Sequence, residues 1–133
     1  MRSLHFGLIA AGVLLFAART AVASEEEVIR DGKAEYQSYC VACHGENAKG
    51  DGRMAEILLV KPADLTTIAT RNGGVFPFWR VYGTIDGSVP TKGHEYMPDF
   101  ETRFRADEPK PGYALSYLRI LTLTHYLESI QAK

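Results

Sequence analysis

Cys40-Val41-Ala42-Cys43-His44 constrains this chain more than any other stretch, because its CxxCH uses both cysteines of a 133-residue protein. Two thiols three positions apart, followed at once by an imidazole, suit covalent attachment of haem. The thiols add across the two vinyl groups, and the histidine binds iron from one face. Two other chemistries use a CxxC. A redox dithiol belongs in a βαβ setting, and no strand-then-helix pattern surrounds this motif. A zinc site needs further cysteine or histidine ligands, and there is no second cysteine pair to supply them. Haem attachment through Cys40, Cys43 and His44 is the reading the motif favours.

The N-terminus points to export. Arg2 precedes an apolar run, Leu4 to Ala18, broken only by His5 and two glycines. Ala21-Val22-Ala23 then offers an A-x-A cleavage signal ahead of Ser24-Glu25-Glu26-Glu27. This is the order of a secretory signal peptide, predicting a leader over residues 1–23 and a single mature domain over 24–133. The alternative is a retained membrane anchor, for which the run is short. Export places the thiols in an oxidising compartment, expected to be the periplasm, unless thioether formation consumes them.

A mature chain of about 110 residues supports one small core. Without Arg2 and Arg19 the 15 basic residues fall to 13, against 16 acidic. That mildly acidic balance, with no basic run or stripe, argues against nucleic acid as a partner. No repeat or low-complexity segment interrupts the chain.

The pattern predicts an all-α domain with long loops and no convincing strand pairs. A first helix is expected from about Val28 to Ala42, entered through Glu25–Glu27, whose carboxylates favour the positive end of the helix dipole. Gly32, Tyr36, Cys40 and Cys43/His44 recur every three to four residues on one face, and Gly45 ends the helix. A weaker helical stretch is expected at Met54–Leu59, and a short turn at Ala63–Thr70. A third helix runs from Pro77 through Ile85, with Gly87 just beyond its end. Residues 88–112 read as turn-like. The last helix spans Tyr113 to about Ile130, with Leu115, Leu118, Leu123, Tyr126, Leu127 and Ile130 as its buried candidates.

The first helix carries Gly32-xxx-Tyr36-xxx-Cys40-xx-Cys43-His44, the loop Gly45-Glu46-Asn47-Ala48-Lys49-Gly50-Asp51-Gly52 follows, and the last helix places Leu123 and Tyr126 three apart. In these features the chain resembles the monohaem class I c-type cytochromes over nearly all of its mature length. The resemblance implies a small fold in which the first and last helices cross closely over one covalent haem c. A glycine at position 32 would permit that crossing despite a helix-propensity cost of about 1 kcal/mol.

The resemblance also supplies a second axial ligand. Similar cytochromes carry methionine in a Met-Pro pair, and Met97-Pro98 is the match; Pro98 restrains the residue before it. A thioether favours ferrous iron and raises the potential. Met54, ten residues past His44, reads as a core filler instead. His94, three residues before Met97, is the competing ligand, although a solvated loop histidine is its plainer role. His125 reads as a surface or edge residue. The family's loop proline suggests that the Pro62 carbonyl accepts from the axial histidine. Trp79, Arg80 and Tyr82 are candidate donors to the haem propionates, with Trp79 alternatively a buried aromatic at the haem edge. Phe76 and Phe78 read as plain wall.

The chain departs from the compact pattern over residues 98–111. The alternating charges of Asp99–Lys110 suggest a solvated loop, in which Phe100 and Phe104 either anchor the segment or mark a docking surface. No residue nearby reads as a catalytic acid or base. The expected function is a non-enzymatic periplasmic electron carrier with transient redox partners, touching a membrane only if its leader is kept. The alternatives are the cytochrome subunit of a larger dehydrogenase or oxidase, and an open-site haem enzyme or gas sensor.

Overall fold

The computed structural model describes residues 23–91, 94, 96–107 and 115–132. Residues 1–22 of the expected leader and all of 108–114, with the Tyr113 start of the last helix, lie outside them. The described residues form six helices and no strand: α1 (Glu25–Tyr39), α2 (Val41–His44), α3 (Ile68–Arg71), α4 (Phe78–Asp86), α5 (Phe100–Ala106) and α6 (Leu115–Ser129). None is long and apolar enough to cross a membrane.

Helix α1 begins three residues earlier than expected because Ser24 and Glu27 form a capping box. The Ser24 hydroxyl accepts from the Glu27 N–H at 3.3 Å, and the Glu27 carboxylate accepts from the Ser24 N–H at 2.9 Å. Its C-terminus also differs: the chain breaks at Cys40, and the Val41–His44 turn forms a separate short helix.

The first and last helices cross, and the crossing is the centre of the core. A Cβ at Gly32 would collide with the Thr122 carbonyl and stand 2.9 Å from the Tyr126 Cβ. Only a bare Cα lets the backbones approach this closely. Tyr36, Ile120, Leu123, Tyr126 and Leu127 are buried around the contact, and the Tyr36 and Tyr126 rings pack at 5.4 Å. Thr124, fully buried in the apolar face of α6, satisfies its hydroxyl on the Ile120 carbonyl at 2.7 Å.

Helix α5 occupies part of the stretch expected to be turn-like and solvated. Asp99 caps it by accepting from the Thr102 N–H at 3.1 Å, and Glu101 pairs with Arg105 one turn on. Phe100 and Phe104, four apart, are buried against Tyr39 of α1, so they anchor the segment and offer no docking surface. The expected Met54–Leu59 helix is a run of turns, and Met54 is exposed, not a core filler. The Ala63–Thr70 stretch holds a 3₁₀ turn at Leu65–Thr67, capped by Asp64, that leads into α3. Gln131 ties this stretch to the C-terminus, accepting from the Ala69 N–H at 2.9 Å and donating to the Leu65 carbonyl at 2.8 Å.

Candidate functional site

Helix α2 is too short to satisfy its own last carbonyls, and the following loop does so instead. Gly50, Gly52 and Met54 return their N–H groups to the carbonyls of His44, Cys43 and Ala42 at 2.9, 3.1 and 2.8 Å. Gly45 makes the return possible with φ of 80°. The buried Tyr36 hydroxyl donates to its carbonyl at 2.6 Å. Further along, the Leu65 N–H donates to the Ala48 carbonyl at 2.8 Å, bringing residues 62–65 alongside the motif.

That placement fixes the His44 ring. Its Nδ1 lies 3.2 Å from the Ala63 carbonyl oxygen. A carbonyl can only accept, so Nδ1 carries the proton and Nε2 keeps the lone pair a metal needs. The expected acceptor was Pro62. Its carbonyl lies instead against Gly50, and the peptide after it turns the Ala63 oxygen to the imidazole. Burial holds the His44 pKa below the ordinary histidine value; the Ala63 bond opposes this, and nearby His94 adds to the lowering. The ring is therefore neutral and ready to ligate.

His44 opens on a cavity of about 360 Å³ lined by residues of α1, α3, α4, α6 and the 63–68 segment, together with Thr91, His94 and Met97. Cys40 lines it too. A smaller lobe of about 170 Å³ shares Cys40, His44, Ala63, His94 and Met97 and adds Cys43, Leu58, Val60 and Tyr96. The two thiols, two imidazoles and a thioether thus converge on one apolar slot. The Cys40 thiol is pushed up to about 12, first by burial and then by Glu35 and Cys43, so it stays protonated near neutrality. Among the described residues no group of three or more His, Cys, Asp or Glu side chains stands together as a metal cluster.

Helix α4 contributes one wall with clear periodicity: Pro77, Arg80, Val81, Thr84 and Ile85 line the cavity at helical spacing. Arg80 therefore sits where a donor to a haem carboxylate was expected. Trp79 and Tyr82 do not. Trp79 is 65% exposed and packs on Phe78 and Tyr82, while Tyr82 lies half-buried between Trp79 and Tyr117. Both occupy positions turned away from the lined face, so neither reaches the slot. Phe76 and Phe78 also lie off the lining, and His125 stacks on Phe78 at 4.7 Å, outside it.

Arg71 and Asn72, beside Arg80 at the cavity, were not anticipated from sequence. The Arg71 guanidinium bonds the Asp64 carbonyl at 2.9 Å and the Thr67 hydroxyl, which holds it at the rim. Two guanidiniums lining an apolar slot suit a ligand bearing two carboxylates. The only hint in sequence is an Arg-Asn pair just before Gly73-Gly74.

The residues lining the slot fit haem c: two thiols, a tautomer-fixed histidine, a thioether and two arginines. The family model described as cytochrome C oxidase, cbb3-type, subunit III matches residues 27–110. No curated protein and no solved structure matches the chain.

Proposed function

The chain belongs to that family and is a c-type cytochrome with covalently bound haem c, and from this premise we propose that it is a periplasmic single-electron carrier with one haem held between His44 and Met97. Haem-based electron transfer follows from the family; the ligand pair, the compartment and the partners are our reading.

The observation that carries it is the shared lining: His44, with its tautomer set by Ala63, and Met97 border both lobes of the slot that also holds Cys40. When bound, the haem would supply the iron centre that takes one electron from a donor and passes it to an acceptor. The chain's own work is to keep that centre dry and its ligands fixed. Ala63 orients His44, Pro98 restrains Met97, and the crossing of α1 and α6 keeps Tyr36 and Leu123 packed behind the slot. Small ligand motion on oxidation keeps reorganisation low. Beside the smaller lobe the surface is apolar, with Ile57 72% and Leu59 87% exposed and Val60 and Tyr96 partly so. Such a rim suits brief docking, and the charges around it govern encounter rate more than affinity.

The leader pattern at residues 1–23 supports export. A second reading is favoured by the matched family: the chain would then be the cytochrome subunit of a larger oxidase, co-purifying with its partners at a fixed ratio.

The deciding experiment is the optical spectrum of the purified ferric protein. A far-red sulfur-to-iron band that disappears in Met97→Leu, with a lowered potential, is expected. Its absence in the parent protein overturns the His/Met assignment.

A further inference from the structure

We propose that His94 is a reserve axial ligand, positioned to take the iron when Met97 leaves it, so that the loop carries two alternative sixth ligands. The inference rests on the His/Met reading above and extends it.

Three observations carry it. First, His94 and Met97 sit on one tight segment: the His94 N–H donates to the Thr91 carbonyl at 3.0 Å and the Met97 N–H to the His94 carbonyl at 2.9 Å. Both side chains line both lobes of the haem slot, which His44 also lines. Second, the His94 Nδ1 is buried with no hydrogen-bond partner among the described residues. Buried polar nitrogens are rarely left unpaired, and an imidazole nitrogen beside an iron site has an evident use for its lone pair. Third, the same two residues border another, solvent-open pocket of about 460 Å³ that Thr84, Val89, Thr91 and Asp99 also line. This space behind the loop gives a displaced thioether somewhere to go, so the exchange needs no opening of the α1–α6 core.

The exchange is a ligand substitution: the iron–sulfur bond breaks, an iron–nitrogen bond forms, and no electron or proton need be added. Imidazole stabilises ferric iron more than a thioether does, so the exchanged form has the lower potential.

The test compares haem-loaded parent, Met97→Leu, His94→Ala and the double variant. Leucine keeps the volume at position 97, so the fold is retained. Met97→Leu is expected to stay six-coordinate and low-spin in the ferric state, and the double variant to become five-coordinate and high-spin. Carbon monoxide reaches iron only in the molecules His94 has left, so reduced Met97→Leu should bind it about tenfold or more weakly than the double variant. Imidazole added to the double variant should restore the six-coordinate spectrum, and His94→Ala alone should keep the far-red band. A Met97→Leu protein that is already high-spin and binds carbon monoxide like the double variant overturns the proposal while leaving His/Met ligation intact. A parent that lacks the far-red band overturns the ligand reading itself.

Discussion

Arg119 of α6 grips Glu35 of α1 with two parallel hydrogen bonds, Nε to Oε1 and Nη2 to Oε2, each 2.8 Å long. The guanidinium lies 3.8 Å above the centre of the Phe104 ring, so one side chain joins α1, α5 and α6. Bonding to Glu35 raises the Arg119 pKa further, keeping the charge fixed. The two side chains are only 24% and 20% exposed, which sets this pair apart from the open ones on the surface.

Arg119→Ala strands the Glu35 carboxylate and removes the cation over Phe104. A loss of about 2 kcal/mol is expected, below the full cost of breaking a buried pair because some solvent reaches it. Arg119→Lys should recover less than half, since an ammonium cannot reproduce the fork. Denaturant unfolding of the haem-loaded variants measures both, and an unchanged midpoint in Arg119→Ala would show the pair to be ornamental.

Gly32→Val places a branched side chain where the Thr122 carbonyl already stands. The helices must separate, at a cost of about 3 kcal/mol or more. Thermal unfolding followed at the Soret band reads the effect. A variant within a degree of the parent would mean the crossing is looser than described.

The Asp99 carboxylate lies below the usual carboxylate range, chiefly through its hydrogen bond from the Thr102 hydroxyl and then through the Thr102 N–H. Its folded value is below its unfolded one, so its stabilisation is complete above the ordinary carboxylate pKa. It is lost as pH falls through the depressed value. The protection of the Thr102 and Arg103 amides, relative to their intrinsic exchange rates, should therefore fall under acid. Asp99→Asn should keep the cap and flatten that dependence, whereas Asp99→Ala should cost about 1 kcal/mol at neutral pH.

Cleavage after Ala23 would turn the Ser24 nitrogen into an ammonium facing the Glu27 carboxylate, 2.9 Å away, and so reinforce the capping box. The intact mass of protein purified from the periplasm should correspond to residues 24–133 plus one haem. A mass that includes the leader would leave the chain anchored and count against a diffusible carrier.

The attachment motif was legible in the sequence from its CxxCH spacing, and the helix crossing through the family resemblance that Gly32, Tyr36, Leu123 and Tyr126 carry. Helix α5 was harder to see. Its alternating charges look solvated until Phe100 and Phe104 are recognised as one face and Asp99 as its cap. Trp79 misled because size suggests burial, yet Pro77, Arg80, Val81, Thr84 and Ile85 already define the inward face of α4 and leave position 79 outside it. The histidine acceptor was one residue from its expected place, because backbone direction within 62–65 depends on the distant Leu65–Ala48 hydrogen bond. Arg71 reaches the slot only through tertiary packing, which no local pattern encodes.

The meeting of α1 with α6 also sets an order of assembly. Glu35 and its partner are 84 positions apart, so the interface that seals the core cannot form until nearly the whole chain has been made. Throughout that interval Cys40 and Cys43 lie on an unsealed strand of polypeptide, within reach of whatever delivers the macrocycle. Docking of the final helix then ends this window and withdraws the Cys40 thiol from solvent.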